Sequence, residues 1–413
     1  MKVGYLCADV DVQVLGQEGC SVHVREFTNG LVEAGHEAFM LCAWAGEGDG
    51  SRLRAPLHEL GPRGVDAEVW ASLERDDAIL NHHLERDLRS VLWNTWLRDQ
   101  GDEIVARERP DFLYERYSLF GWGGTELARR HGIPLILEVN APLCDEQDGY
   151  EKFALTETAR RMQARILGQA DALVVVSGWL GEWAEAQGVD PARIHVIPNG
   201  VSSRFLDEEI SGDAVRAELG LQGTSVVGFV GSFHWWHDVG GLLKAFSALA
   251  DRDPALRLLL VGSGEKRKRL ESRVAELGLG PRVVFTGKVP HDRVPEYVAA
   301  MDVAVVPYGP LKEFFFSPVK LFEYMAAGRP TVAASLGQIP EIVEHAKTGW
   351  LYPPGDAARL AEGIETFLRD PDLAARASAA ARDVVRARHT WKHIADRVAE
   401  LGRELGTPQA SDR

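Results

Sequence analysis

Ser317-Pro318-Val319-Lys320-Leu321-Phe322-Glu323-Tyr324-Met325-Ala326-Ala327-Gly328-Arg329-Pro330 is the stretch that decides how the chain reads. It predicts a helix whose N-terminus is built to hold an anion. Ser317 suits the N-cap, and Pro318 suits the first helical position, where a missing N–H costs nothing. The N–H groups of Val319 and Lys320, with the positive end of the helix dipole, favour a phosphate there. Lys320 adds a full positive charge in the first turn, where the dipole disfavours one. Glu323 follows one turn on, about 6–9 Å along the axis from the cap. That offset suits a nucleoside diphosphate, with phosphates at the cap and sugar hydroxyls beside the carboxylate. Gly328-Arg329-Pro330 ends the helix, and a buried strand follows. Capped helices followed by Gly-x-Pro are common in α/β proteins, so this stretch alone leaves an ordinary structural helix open.

Around it, strand-like and helical runs alternate from end to end. Lys2–Ala8, Glu37–Ala43, Phe112–Tyr114, Leu135–Val139 and Ala172–Val176 read as strands in the first half, with an amphipathic helix over Ser21–Ala34. Ser225–Val230, Leu256–Val261, Arg282–Phe285, Val303–Val306 and Pro330–Ala333 repeat the theme in the second. These are βα units on parallel sheets, hence two doubly wound α/β domains. The acidic, polar run near Phe205–Val215 marks the boundary. Within the first half, Val65–Gln100 reads as a helical excursion rich in tryptophan (Trp70, Trp93, Trp96). It either packs on the sheet or forms a wall of an acceptor pocket.

The 413 residues allow two or three domains, each with its own core. A net charge of −15 argues against a nucleic-acid binder and against electrostatic docking on anionic lipid. Met1–Leu6 opens directly into a strand, without a signal peptide, and no apolar run approaches a membrane span. A cytoplasmic location is the expectation. Cys7, Cys20, Cys42 and Cys144 lack metal or redox spacing, and only Cys20, at a helix start, could have a lowered thiol pKa. No Asp-x-Asp motif or His/Asp/Glu cluster has metal spacing, so no metal is expected.

An ordered set of motifs accompanies the helix. These are Gly19-Cys20-Ser21-Val22-His23-Val24-Arg25-Glu26, Val174–Ser177, Ile197–Val201, Gly228–Phe233, Val261–Gly264, Thr286–Pro290 and Asp302–Pro307. Together they resemble the family 4 retaining glycosyltransferases of GT-B fold, over nearly the whole chain. The resemblance implies two Rossmann-like domains facing a central cleft. Residues 1–206 would bind the acceptor and 207–389 the donor, with a helix over about 390–405 crossing back and a frayed tail at 406–413. It implies transfer of a sugar from a nucleoside diphosphate, UDP or GDP, to a small-molecule, glycan or lipid-linked acceptor, without cofactor or metal.

In that reading the diphosphate lies between the Gly19–Ser21 turn and Ser317-Pro318-Val319, and Glu323 binds the ribose hydroxyls. The backbone of Lys288-Val289 meets the base edge. Several residues depart from the family pattern. Ser232 and His237 stand where the family has an Arg and a Lys, and Phe315 stands where it has a first Glu; Glu313 is out of register. We expect Lys320 and a protonated His237 to supply the missing charge. Glu138 and Asn140, after a central strand, are the polar candidates at the acceptor, with Glu138 a possible base. His23 reads as a helix-face residue, Asn199-Gly200 as a turn, and His291 and Asp292 as helix caps. The Gly262-x-Gly264 turn only lets a strand enter the next helix. The altered motif keeps two alternatives open: a nucleotide-sugar epimerase on the same fold, and a binding or partner subunit without activity.

Overall fold

The structure, a computed structural model, describes residues 1–64, 67–68, 71, 82–145 and 154–407. The chain forms two compact units, Met1–Pro198 with Trp391 onward, and Asn199–Thr390. The division falls at 198/199, ahead of the acidic run near Phe205–Val215 that composition marks and of the 206/207 that the resemblance implies. Val201 explains it: its N–H donates to His389 O at 2.8 Å, and it bridges Thr390, so the two ends of the second unit are tied together.

The first unit is built on a seven-stranded parallel sheet of order β3-β2-β1-β4-β5-β6-β7. Its strands are β1 Lys2–Cys7, β2 Glu37–Cys42, β3 Leu57–Glu59, β4 Phe112–Arg116, β5 Leu135–Val139, β6 Ala172–Val175 and β7 Ile194–Val196. The second unit has a six-stranded sheet of order β10-β9-β8-β11-β12-β13. These strands are β8 Ser225–Val230, β9 Leu256–Val261, β10 Val283–Gly287, β11 Val303–Val306, β12 Thr331–Ala334 and β13 Trp350–Tyr352. The middle strands read as unbroken apolar runs because both sheet faces are covered. In each sheet the strand order reverses beside the first strand, at β1/β4 and at β8/β11, which opens a crevice beyond the carboxyl ends.

Four helices matter below: α1 Gly19–Glu33, α2 Val239–Ala250, α3 Val319–Ala326 and α4 Trp391–Gly406. Helices α1 and α4 pack together on one face of the first sheet. Phe27 of α1 stacks on Tyr114 of β4 at 4.6 Å between ring centroids, and Trp391 of α4 meets Phe27 edge-on at 6.4 Å. The tryptophan-rich excursion contains a helix over His82–Trp96, a π-helical turn over Leu97–Gly101 and a helix over Asp102–Glu108. Trp93 and Trp96 are 1% and 8% exposed, so they are packing residues and present no face to an acceptor. Trp70 lies outside the described residues, as do residues 408–413 of the tail. No helix among the described residues is long and apolar enough to cross a membrane.

Gly30 sets the α1–α4 spacing. A Cβ there would lie 2.6 Å from the Trp391 carbonyl oxygen, a backbone atom that cannot swing away. Gly30→Val should therefore lower unfolding free energy by about 1–3 kcal/mol, despite a gain in helix propensity. Denaturant unfolding would read this; an unchanged midpoint would contradict it.

Candidate active site

In the second unit the signature segment starts one residue later than expected. Helix α3 begins at Val319, its N-cap is Pro318, and no side chain caps it. Ser317 is buried and turned elsewhere. Its Oγ accepts the Asn199 N–H at 3.0 Å, and its carbonyl accepts Asn199 Nδ2 at 3.0 Å. Asn199 is thus more than a turn residue, since it fixes the entry to α3. The helix is also held by Tyr324, whose hydroxyl accepts the Val230 N–H at the end of β8 at 2.6 Å.

Lys320 does not point along the dipole. Its Nζ lies 2.7 Å from His237 Nε2, 5.0 Å from the Phe229 ring centroid and 6.0 Å from that of Tyr308. Gly231, at φ 146°, leaves the room: a Cβ there would lie 2.9 Å from Nζ. His237 Nδ1 lies 2.6 Å from Ser232 O. A carbonyl oxygen only accepts, so Nδ1 carries the proton and Nε2 accepts from Lys320. His237 is therefore neutral. Burial first, then the Lys320 charge, holds its pKa well below the ordinary histidine value, against the Ser232 hydrogen bond. The expected second cation is absent, and His237 is the acceptor that orients the first. Burial also lowers the Lys320 pKa to about 7, with Glu323 pulling it back up. Lys320 makes no ion pair among the described residues.

The loop that carries Ser232 and His237 is fixed at both ends. Phe233 N–H donates to Ser263 O at 3.0 Å, and Asp238 caps α2 by accepting the Gly241 N–H at 2.8 Å. Gly262, at φ 125°, admits the Gly231 carbonyl against its backbone, so the Gly262 turn shapes this loop as well. Phe315 is buried and stacks near Phe316, whose ring lies 5.7 Å from Trp236. An aromatic wall thus replaces a carboxylate there. Glu323 is buried and lies 3.5 Å from His291 Nε2. His291 is a partner of Glu323; neither the turn it opens nor the helix after it has a side-chain cap. Lys288 is exposed after the Gly287 turn, and Val289 packs on the core of the unit.

In the first unit the loop before α1 is held by Arg25, whose Nη1 donates to Val14 O at 2.5 Å and Gly16 O at 2.6 Å. Gly19 is exposed at the start of α1, with nothing near its missing Cβ, while Ser21 is buried. Burial pushes the Cys20 thiol pKa up, so a reactive thiolate is not formed there.

Glu138 is 3% exposed and saturated with donors: His23 Nε2 at 2.8 Å, Tyr114 OH at 3.0 Å and Tyr5 OH at 3.3 Å. Arg116 Nη1 lies 3.8 Å away. Burial alone would raise its pKa, but His23, Arg116 and the tyrosine hydrogen bond outweigh it and hold it at about 2. Such a carboxylate is too weak a base to take an acceptor proton. Glu138 is a structural hub, and His23 is its partner. Asn140 follows at the carboxyl end of β5, and its Nδ2 has no hydrogen-bond partner among the described residues. Arg116 was not singled out from the sequence, and His291 was read there only as a helix cap. A charged Glu115-Arg116 pair ending an apolar strand was the available signal for the first.

Glu138→Gln removes the charge that balances Arg116 and the oxygen that His23 meets, and should cost about 3–5 kcal/mol at neutral pH. The carboxyl pKa is depressed on folding, so its contribution is present above the unfolded value, near 4.3, and fades as pH falls through about 2. Unfolding curves of wild type and variant should converge over that window; a constant gap would contradict the assignment.

Comparison with known proteins gives this geometry its context. Residues 18–200 match the model described as glycosyl transferase 4-like domain, and residues 213–384 the model described as glycosyl transferases group 1. A D-inositol 3-phosphate glycosyltransferase of Nocardia farcinica is 30% identical over 312 residues, spanning 71% of this chain and 67% of that protein. An alpha-D-kanosaminyltransferase of Streptomyces kanamyceticus is 24% identical over 287 residues, 68% of this chain and 73% of that one. Matched regions span from 51% to 75% of such relatives' lengths. The Anabaena protein HepE, solved with UDP-glucose, superposes with a TM-score of 0.71 at 20% identity, over 98% of this chain and 100% of that one. With two parallel sheets and flanking helices, that likeness makes the fold GT-B.

Proposed function

The chain belongs to the group 1 glycosyl transferases, which use nucleotide sugars, and we propose that it is a retaining, metal-independent member. The donor is a UDP- or GDP-linked sugar, bound by the second unit. The acceptor is a small hydroxyl-bearing molecule, bound by the first. The UDP-glucose complex of HepE supports UDP as the nucleotide.

The observation that carries the reading is Lys320: a half-buried amine with an oriented acceptor, two aromatic faces and no ion-pair partner among the described residues. A partly buried cation with no ion-pair partner in contact is costly, and a diphosphate at the start of α3 supplies one. Charge building on that leaving group in an oxocarbenium-like transition state is what the site must stabilise. Lys320 does so with the first N–H groups of α3, in place of the family's Arg and Lys, and without a metal. Glu323, held by His291, binds the ribose hydroxyls, and the Lys288-Val289 backbone meets the base. Because Glu138 is no base, the acceptor proton passes to the departing phosphate oxygen, on the face the sugar leaves. Retention follows from that same-face delivery.

Calorimetry with UDP and GDP, in the presence of a chelator, tests this. One nucleotide should bind, and Lys320→Ala should weaken it about 10- to 100-fold, the value of a charge-assisted hydrogen bond. Equal affinity of wild type and variant would remove Lys320 from the site. Product anomers read by NMR should keep the donor configuration.

A further inference from the structure

The aromatic residues next to His237 have no part in the reading above. Trp236 precedes His237 in the chain, and their rings lie 5.8 Å apart. The Trp236 ring stacks on Phe316 at 5.7 Å between centroids, with 27° between planes, and Phe316 meets Phe315 at 4.2 Å. His234 stacks on Trp236 at 4.4 Å, and Trp235 meets it edge-on at 5.8 Å. A continuous aromatic ledge therefore runs from the histidine that orients Lys320 to the residue before Ser317. Trp236 and Phe316 are half-buried and Trp235 is 44% exposed, so the ledge keeps an open side. It is also held from behind. Gly337, at φ 52°, admits the Phe314 ring against its backbone, and Phe314 packs edge-on between Tyr308 at 4.8 Å and Phe316 at 5.6 Å. Gln338 Nε2 donates to Phe316 O at 2.9 Å.

An open aromatic cluster that the fold fixes in position is a surface kept for contact. Its place decides what it meets. In the transferase reading the diphosphate lies at the start of α3, and Glu323 takes the ribose one turn further along the helix. Phe316 lies on the other side of that start, so the ledge flanks the outer phosphate, which carries the sugar. Ring faces offer no strong hydrogen bond. A hydroxyl turned toward them loses water without replacing it, whereas a methyl group gains contact. On a hexose the exchange that gains most is at C6, where loss of one oxygen turns the hydroxymethyl arm into a methyl.

We propose that Trp236 and Phe316 form the wall against which the transferred sugar packs, and that they select a 6-deoxyhexose over the parent hexose. This rests on the transferase reading and narrows its donor to a deoxygenated sugar.

The probes are two pairs, UDP-glucose with UDP-6-deoxyglucose and GDP-mannose with GDP-6-deoxymannose, titrated calorimetrically into the full chain beside free UDP and GDP. On the nucleotide that binds, the 6-deoxy sugar should bind about 10- to 100-fold more tightly than its parent, the range over which an apolar pocket separates ligands differing by a methylene or a hydroxyl. Phe316→Asn gives a hydroxyl a partner and should remove most of that preference. Should Phe316→Asn fail to fold, the wild-type pairs carry the test alone. A parent hexose bound as tightly as its 6-deoxy form overturns the proposal, and so does a preference that survives Phe316→Asn. Free nucleotide that binds with no preference between the sugars sinks the ledge and leaves the transferase reading standing. Failure of both UDP and GDP to bind sinks the two together.

Discussion

The second unit depends on a half-buried lysine amine held without an ion pair among the described residues. Lys320 comes from α3, its acceptor His237 from the loop after β8, and its aromatic faces from Phe229 on β8 and Tyr308 just past β11. Gly231 leaves the space in which Nζ sits, and Ser232 fixes the histidine tautomer. Asp238 then anchors the loop to α2. Moving any one of these would change where the charge points. The arrangement also explains why two substitutions that look like losses in the motif belong together. At the position where the resemblance implies a cation, His237 is a neutral acceptor whose Nε2 faces the Lys320 amine.

The first unit is organised around the opposite case, a buried carboxylate surrounded by donors. Glu138 takes one histidine and two tyrosine hydroxyls, which join α1 to β1, β4 and β5. That hub keeps the end of the sheet rigid. It also leaves Arg116 with a nearby charge but no hydrogen bond from it. With His23, Tyr114 and Tyr5 on its oxygens and its pKa held well below the ordinary carboxylate range, Glu138 is a weak base.

Most of the fold was legible because the buried central strands announce themselves as apolar runs between helices. Leu135–Val139, Ser225–Val230, Leu256–Val261 and Val303–Val306 begin and end where the sequence places them. The strands that escaped, β3, β7 and β13, are three-residue edge strands, too short for any periodicity to register. At the site, the sequence pointed to the right segment but not to its geometry. Ser317 has the chemistry of an N-cap, yet Asn199, 118 positions away in sequence, claims its hydroxyl. His237 has the chemistry of a cation, yet a carbonyl and an ammonium on its two nitrogens decide its charge. Both outcomes are set by long-range partners, which local pattern does not encode.

The central claim is that Lys320 carries the positive charge that meets the donor diphosphate. Its pKa of about 7 in the free protein makes the claim measurable as proton uptake. Binding of the nucleoside diphosphate would be followed calorimetrically at pH 8, in buffers of different ionisation enthalpy, where the diphosphate itself is fully ionised. The account predicts uptake approaching one proton per site, abolished in Lys320→Met. Binding with no proton uptake, or uptake that survives in Lys320→Met, would contradict it.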